Sequence, residues 1–213
     1  RAAQVCGTLS KPSKMPCYGF SLPAQRCQTG GRLQNVENST CFKCYALKGN
    51  YRRGNVRAAL ESRYTKLMEA CENETLDVWA EAMAKQIAAS EKSGFFRWHD
   101  SGDIQSLAHL LAIFRVCELT PRIKHWLPTR EAAYLREALA LRPKPRNLVI
   151  RLSALKREFP PSKALAKRLG VQTSTVSWKD SGSTCEANKR GGVCGECRAC
   201  WNENVSNVDY PLH

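Results

Sequence analysis

Two groups of cysteines near the two ends of the chain carry the strongest chemical signal in this sequence. The amino-terminal cysteine group is Cys27, Cys41 and Cys44, in the contexts RCQTGG and TCFKCYALKG. Three thiolates can hold a 4Fe-4S cluster and leave one iron with an open coordination position for a small molecule. We therefore expect an iron–sulfur centre on these three cysteines, with Tyr45 beside it.

The identity of the third ligand and of the metal stays open at this point. Cys27 is favoured because it is closer in sequence to the other two cysteines and opens a turn containing Gly30 and Gly31. Cys17 is the rival third ligand. A structural zinc ion is the alternative metal, with all four positions filled by Cys17, Cys27, Cys41 and Cys44.

The carboxyl-terminal cysteine group supplies a complete set of four thiols. Its members are Cys185, Cys194, Cys197 and Cys200, and the last three form a C-x2-C-x2-C run. Cysteines at these intervals are typical of 4Fe-4S binding loops, so we expect an auxiliary cluster that relays electrons or contacts substrate. A structural zinc knuckle is the alternative, since zinc sites also use C-x2-C pairs.

Composition agrees with metal binding better than with a disulfide framework. The chain has 213 residues and eleven cysteines, an odd number that falls in close pairs typical of metal ligands. A chain of this length can bury a core without disulfides. No apolar run is long enough to span a bilayer, and no signal peptide is evident. These features predict a cytoplasmic protein that does not act in a membrane, in a compartment that keeps thiols reduced.

The net charge of +14 is unevenly distributed along the chain. Residues 1–60 hold ten Lys/Arg and one acid, and residues 121–190 hold sixteen and five, whereas residues 61–120 hold six and ten. Such a basic bias favours an anionic partner, either an anionic substrate or nucleic acid. A solvated basic surface that keeps the protein soluble is the simpler alternative.

The hydrophobic pattern predicts an α/β fold that follows a long irregular amino-terminal segment. One short strand is predicted around residues 4–9, and helices over 60–71 and 76–92. Strands over 95–98, 123–127, 148–152 and 171–178 then alternate with helices over 106–118, 131–141 and 161–169. We expect a partial (β/α) barrel over residues 1–180 with a cysteine-rich loop, followed by a cluster-binding lobe over 181–213.

Polar residues follow each predicted strand. They are His99, Asp100, Ser101 and Asp103, then Thr129, Arg130 and Glu131, then Ser153 and Lys156, and finally Ser177 and Lys179. Carboxyl ends of parallel strands share one edge, where α/β barrels bind ligands. The amino-terminal cysteine group would have to lie over this edge to cooperate with these residues.

Several of these residues have alternative roles. Asp100 and Asp103 could accept hydrogen bonds from a ligand amine or ribose, but Ser101 or Asp103 could instead cap a helix. Arg130 could bind a carboxylate or lie on the surface. A second set is assigned to the core or to structure, and consists of Cys71, Cys117, His109 and His125. Cys6 has no assigned role.

The motif TCFKCYALKG, with its upstream cysteine and following helix, resembles the cluster loop of radical S-adenosylmethionine-like proteins. The segment from KMPCYGFSLPAQRC to CFKCYALKGNYR is similar to the phage gene product 88 family, and the strand ends RWHDSGD, HWLPTRE and NLVIRLSALK follow the same order. The resemblance covers most of residues 11–160. Thirteen residues separate Cys27 from Cys41, whereas the common radical-enzyme motif is C-x3-C-x2-C.

The resemblance implies a phage-encoded, radical-SAM-like enzyme that acts in the cytoplasm of the bacterial host. Cys27, Cys41 and Cys44 would bind the cluster, Ser101, Gly102 and Asp103 would contact the methionine end of S-adenosylmethionine, and Thr129, Arg130 and Ser153 would line its pocket. Reductive cleavage of this cofactor would produce a radical that takes hydrogen from a substrate. The electron donor would be a protein such as ferredoxin or flavodoxin. The alternatives are a non-enzymatic iron–sulfur electron carrier or sensor, and a zinc-stabilised nucleic-acid binder.

Overall fold

The protein, described here from a computed structural model that covers residues 1–178 and 184–212, is built on a parallel sheet. The strands are β1 (Gly19–Phe20), β2 (Phe95–Trp98), β3 (Lys124–Thr129), β4 (Leu148–Ser153), β5 (Gln172–Ser177) and β6 (Asn207–Pro211). They form one six-stranded sheet in the order β1-β2-β3-β4-β5-β6, and every neighbouring pair is parallel. The predicted α/β class and parallel pairing are confirmed.

Helices occupy the connections between strands. They are α1 (Ala2–Cys6), α2 (Thr29–Leu33), α3 (Gly54–Glu72), α4 (Leu76–Ser90), α5 (Leu107–Leu119), α6 (Ala132–Leu141) and α7 (Lys163–Leu169). Of the helices among the described residues, none is long and apolar enough to cross a membrane. The strand predicted around residues 4–9 is wrong, because this segment begins as α1. Cys6 ends that helix fully buried, and the side-chain amide of Gln86 contacts its sulfur at 2.9 Å.

Sequential strand order puts the helices on one face of the sheet. Parallel strands joined by right-handed crossovers carry their helices on the same side when the order never reverses. Leu127 and Ile150 accordingly lie in the large core between sheet and helices. Trp126, the neighbour of Leu127 in β3, lies in a second, smaller cluster with Cys17 and Trp201. The opposite face of the sheet is thus covered by irregular segments from both ends of the chain.

The carboxyl-terminal segment contributes its own strand to the sheet. β6 pairs with β5 from Thr173–Asn207 to Ser177–Pro211, a strand that the sequence pattern did not predict. Trp201 donates its indole N–H to the carbonyl of Phe96 at 2.9 Å and packs edge-on against Trp126, with ring centroids 5.2 Å apart. Lys179, expected after the fourth predicted strand, lies outside the described residues.

Candidate metal centre

The amino-terminal cysteine group lies on a loop that is fastened to the carboxyl ends of the strands. Tyr51 donates its hydroxyl to Asp100 Oδ2 at 2.8 Å, directly after β2. Thr29 donates its backbone N–H and its hydroxyl to the carboxylate of Glu131, at 2.9 and 2.8 Å, directly after β3. The loop therefore lies over the carboxyl edge of the sheet, which is the condition for its cysteines to act together with the residues that follow the strands.

Arg130 and Thr40 extend this attachment to the end of β4. Thr40 donates its hydroxyl to the carbonyl of Ala154 at 2.7 Å, and its backbone N–H to the carbonyl of Leu155 at 3.0 Å. Arg130 directs Nε and one terminal nitrogen at Thr40 Oγ1, at 3.1 and 3.0 Å. The guanidinium therefore lies between strand β3 and the cysteine loop, partly exposed, with donors beyond those that Thr40 uses.

Gly30 marks the point where two thiols of the group converge. A Cβ at this position would lie 3.3 Å from Cys41 Sγ, 3.7 Å from Cys27 Sγ and 3.2 Å from Cys27 Cβ. The two sulfur atoms therefore lie within about 7 Å of each other. A side chain at Gly30 would occupy the space beside both thiols, which gives this glycine a steric reason to be there. The turn expected at Gly30 and Gly31 is in fact part of helix α2.

The groups that interact electrostatically with Cys27 include the remaining residues of the predicted site. Burial raises the pKa of the Cys27 thiol well above its usual value, and negative charge on Asp103, Cys41 and Cys44 raises it further, while Arg130 lowers it. Burial likewise raises the pKa of Cys41, and Arg130 lowers it. The site thus combines three thiols, one carboxyl and one guanidinium. These groups come from four different segments of the chain and interact electrostatically.

Asp103 supports this edge of the sheet through both of its oxygens. Oδ1 accepts hydrogen bonds from Thr129 Oγ1 at 2.6 Å and from the N–H of Ile104 at 2.8 Å, and Oδ2 accepts one from the N–H of Arg130 at 2.9 Å. Burial raises the pKa of this carboxyl to about 6, although these hydrogen bonds lower it. Helix capping is not its role, because Ser106 caps α5 by accepting the N–H of His109.

Ser101 and Gly102 hold the backbone in place. Ser101 is buried and donates its hydroxyl to the carbonyl of Leu22 at 2.7 Å. Gly102 has φ of +77°, and a Cβ there would come within 2.6 Å of the Leu22 side chain. Both residues therefore allow the 99–103 turn to pack closely against Leu22, at the start of the cysteine loop.

The other predicted residues lie nearby or in the core. The ring of Tyr45 is 53% exposed, and its hydroxyl donates to the carbonyl of Asp100. Ser153 is buried at the end of β4 beside Ser174, with 3.2 Å between the two hydroxyl oxygens. His99 packs its ring against His109, with 5.5 Å between centroids, and burial keeps its pKa well below the usual value.

Cys17 lies with the carboxyl-terminal cysteine group. It is 4% exposed and packs in the small cluster with Trp126 and Trp201, beside the partly buried Cys200. Burial raises its pKa to about 12, with a further contribution from the charge of Cys194. The backbone N–H of Cys194 donates to the carbonyl of Lys14 at 3.2 Å, so the segment before Cys17 is attached to this group. The cysteine that lies beside Cys41 at Gly30 is therefore Cys27 and not Cys17.

Arg151 organises the loop that carries Cys200. This arginine is fully buried on β4 and donates five hydrogen bonds to backbone carbonyls, at distances from 2.8 to 3.2 Å. Four of the five acceptors lie in the carboxyl-terminal segment, namely Ala199, Cys200, Asn202 and Val205. Its guanidinium therefore joins this loop, including the short 3-10 helix Ala199–Trp201, to the sheet.

Arg97 and Arg151 were missed by the sequence reasoning, although a signal was present. Each is the only charged residue in an otherwise apolar strand, in FFRW and in LVIRLS. Because the strands of parallel sheets are covered on both faces, a charge in such a run indicates a buried guanidinium that needs specific partners.

Within residues 1–178 and 184–212, no group of three or more His, Cys, Asp or Glu side chains is arranged to hold a single metal ion. Cys27, Cys41 and Cys44 carry free thiols, as do Cys194, Cys197 and Cys200. The assignment of metal ligands in both groups therefore stays a prediction.

Comparison with known proteins gives one match. No curated protein and no solved structure matches the chain. The family model described as "Gene product 88", a phage-type family, matches residues 2–203. This span includes both cysteine groups and five of the six strands. The chain therefore belongs to the gene product 88 family.

Proposed function

We propose that this chain is an iron–sulfur protein with two 4Fe-4S clusters and acts as a radical-SAM-like enzyme that cleaves S-adenosylmethionine reductively to take hydrogen from a substrate. The observation that supports it most is the convergence of Cys27 and Cys41 at Gly30, on a loop fastened over the carboxyl ends of β2, β3 and β4. That edge is where α/β barrels bind their ligands.

The chemistry of the donors fits a cluster. Thiolates are the ligands that iron–sulfur clusters use, and a cubane spreads its cysteines over separate iron atoms rather than around one ion. Burial and mutual repulsion raise the pKa of Cys27 and Cys41, so their thiolates need a positively charged partner nearby. A metal cluster provides such charge, and Arg130 provides a smaller share.

The polar residues around this group have the donors and acceptors that S-adenosylmethionine requires. Arg130 has guanidinium N–H groups beyond those directed at Thr40, which suit a carboxylate. Asp100 is partly exposed and has acceptor capacity beyond its bond to Tyr51, which suits an amine or a ribose hydroxyl. When bound, the cluster would supply one electron to a ligand at its open iron.

The carboxyl-terminal cysteine group would hold the second cluster and relay electrons or contact substrate. A donor such as ferredoxin or flavodoxin would reduce the protein. We place this activity in the cytoplasm of the bacterial host, where thiols stay reduced.

The test is electron paramagnetic resonance of anaerobically prepared, dithionite-reduced protein, with and without S-adenosylmethionine, together with iron and acid-labile sulfide content. We expect a cluster signal that shifts when S-adenosylmethionine is added. Cys27→Ala should lose the shift and about half of the iron. Cys71→Ala is the matched control, because Cys71 packs against the core of the helix layer and should leave both unchanged.

Three other results would contradict the proposal. A signal unaffected by S-adenosylmethionine would indicate an iron–sulfur electron carrier or sensor. Iron-free, zinc-loaded protein would indicate the structural-zinc alternative, and a steep salt dependence of DNA or RNA binding by such a sample would then favour a nucleic-acid binder. Loss of both clusters in Cys71→Ala would show that the effect of Cys27→Ala is not specific.

A further inference from the structure

Arg97 lies between the two cysteine groups on the face of the sheet opposite the helices. It occupies β2 in register with Trp126 of β3, and its guanidinium carbon is 4.5 Å from the centre of the Trp126 ring. Trp126 in turn packs with Cys17 and Trp201. The guanidinium therefore packs over the Trp126 ring, and Arg97 as a residue is partly exposed.

Groups on both sides of Arg97 interact with its guanidinium. Burial lowers its pKa, whereas Tyr45 and Asp100, on the side of the amino-terminal group, and Tyr210 on the other side raise it. The positive charge of Arg97 in turn lowers the pKa of Cys194 and Cys200. Arg97 therefore lies between Asp100, which is hydrogen-bonded to the loop of the amino-terminal group, and the thiols of Cys194 and Cys200.

Arg97 nevertheless lacks a matching partner among the described residues. The one side-chain hydrogen bond that it makes with the described residues goes from a terminal nitrogen to the sulfur of Met15 at 3.4 Å, and a thioether is a weak acceptor. Its Nε atom is buried with no hydrogen-bond partner, and no ion pair in the described part of the chain includes it. Asp100 acts on it electrostatically but directs Oδ2 at Tyr51.

The other two buried arginines show what a structural guanidinium looks like in this fold. Arg151 donates five hydrogen bonds to carbonyl oxygens. Arg63 donates its Nε to the carbonyl of Thr8 at 2.6 Å and a terminal nitrogen to that of Ser21 at 3.5 Å. Oxygen acceptors satisfy the guanidinium groups of Arg151 and Arg63, whereas that of Arg97 has none among the described residues. A guanidinium left without oxygen acceptors in a partly buried position favours binding of an oxyanion.

We propose that Arg97 binds the oxyanion group, carboxylate or phosphate, of a small-molecule ligand that enters between the two cysteine groups. This inference rests on the proposed function in that the ligand would be the substrate, and it gives that substrate a negative charge. The guanidinium carbon lies 4.5 Å from the centre of the Trp126 ring, and a guanidinium packed against an aromatic ring can still offer its N–H groups for a planar, bidentate contact.

The test measures anion binding directly. Full-length wild-type protein is titrated at low ionic strength with sodium phosphate and, separately, with sodium acetate, followed by isothermal titration calorimetry and by tryptophan fluorescence. We expect at least one of the two anions to bind and to change the fluorescence, because Trp126 contacts the guanidinium. Arg97→Gln should weaken binding about tenfold or more, and Arg97→Lys should weaken it less because the charge is kept. The anion that binds more tightly indicates whether the ligand carries a phosphate or a carboxylate.

Arg122→Gln is the matched control, because this exposed arginine precedes β3 and should leave anion binding unchanged. Circular dichroism and iron content of each variant show whether the fold and the clusters persist. Failure of both anions to bind wild-type protein would overturn the proposal, as would equal binding by Arg97→Gln or equal loss in Arg122→Gln. If iron-free protein still binds anions through Arg97, the proposed iron–sulfur function is refuted and the proposal for Arg97 stands.

Discussion

The two cysteine groups are held by different kinds of structure. The amino-terminal group lies on a loop attached to strand ends by a few polar contacts, such as those of Thr29 with Glu131 and of Thr40 with Ala154. The carboxyl-terminal group lies on a segment that adds β6 to the sheet and inserts Trp201 among buried aromatic rings. We therefore expect the first attachment to loosen without unfolding the sheet, whereas the second is part of the sheet itself.

This difference suits the two roles we propose. A centre that admits a ligand at an open iron benefits from a loop whose attachment costs little to break, since local opening draws on the least stable parts of a fold. A centre that relays electrons benefits from fixed surroundings. Variants that release each segment separately test this distinction.

The largest effect is expected for Arg151→Met. The substitution removes five hydrogen bonds and leaves backbone carbonyls of the carboxyl-terminal loop without donors. We expect the free energy of unfolding to fall by about 3–5 kcal/mol, measured by denaturant titration. Arg122→Met should change it by less than about 0.5 kcal/mol. An Arg151→Met protein as stable as wild type would contradict the view that this segment is integral to the fold.

Acid should weaken the sheet that both groups share. His125 accepts the indole N–H of Trp98 at 3.2 Å through Nδ1, which leaves Nε2 to donate to Thr120 Oγ1 at 2.9 Å. Burial lowers the pKa of this imidazole to about 3, while the unfolded chain binds a proton near pH 6.5. The contribution of His125 to stability is therefore complete above pH 6.5 and is lost as pH falls from there towards 3.

Between pH 7 and pH 5 the protein should lose about 2 kcal/mol of unfolding free energy through His125. Thermal or denaturant unfolding across this range measures the slope, to which other groups also contribute. His125→Gln should reduce the number of protons taken up on unfolding by about one. An identical slope in the variant would show that His125 titrates alike in both states.

A smaller and local effect is expected for Glu131→Gln. An amide has one acceptor oxygen where the carboxylate used two for Thr29, so the charge-assisted bonds at the end of β3 are weakened. We expect a loss of about 1–2 kcal/mol and faster amide hydrogen exchange over residues 27–45, with β5 and β6 unchanged. Faster exchange throughout the sheet would show that this loop is as integral to the fold as the carboxyl-terminal segment.

The smallest effect is expected for Trp201→Phe. This change keeps an aromatic ring against Trp126 and removes the N–H that satisfies the carbonyl of Phe96. We expect a loss of about 1 kcal/mol in denaturant unfolding, with increased hydrogen exchange confined to the carboxyl-terminal segment. Trp178→Phe is the comparison variant, since this tryptophan is 53% exposed.

The sequence predicted the central β/α units well because their apolar periodicity matches the buried faces. Strand β2 is predicted at its observed bounds, and β4 differs by one residue at its end. Strand β6 was missed because its sequence, NVDYP, alternates weakly and contains an aspartate and a proline. The amino-terminal helix was missed because five residues carry little periodicity, and packing of Cys6 decides their conformation.

The candidate site was predicted in composition but not in arrangement. The strand-end rule placed Asp103, Thr129 and Arg130 on one edge, and the structure brings them together with Cys27. Linear spacing could not show that Cys17 packs at the other centre, because that depends on how the segment before β1 crosses the sheet. Nor could it show that Asp103 uses both oxygens on the backbone and on Thr129.

The contacts of Arg151 also determine when, during synthesis, the carboxyl-terminal segment can fold onto the sheet. Four of its acceptors lie 48 to 54 residues later in the chain, so the ribosome adds them well after β4 has emerged. Until then the growing chain carries an uncompensated cation and an unpaired edge on β5, both of which disfavour early closure. The carboxyl-terminal thiols can therefore reach their final places only after β1 to β5 have been synthesised, and assembly of the cluster we propose for that centre would follow the formation of this sheet.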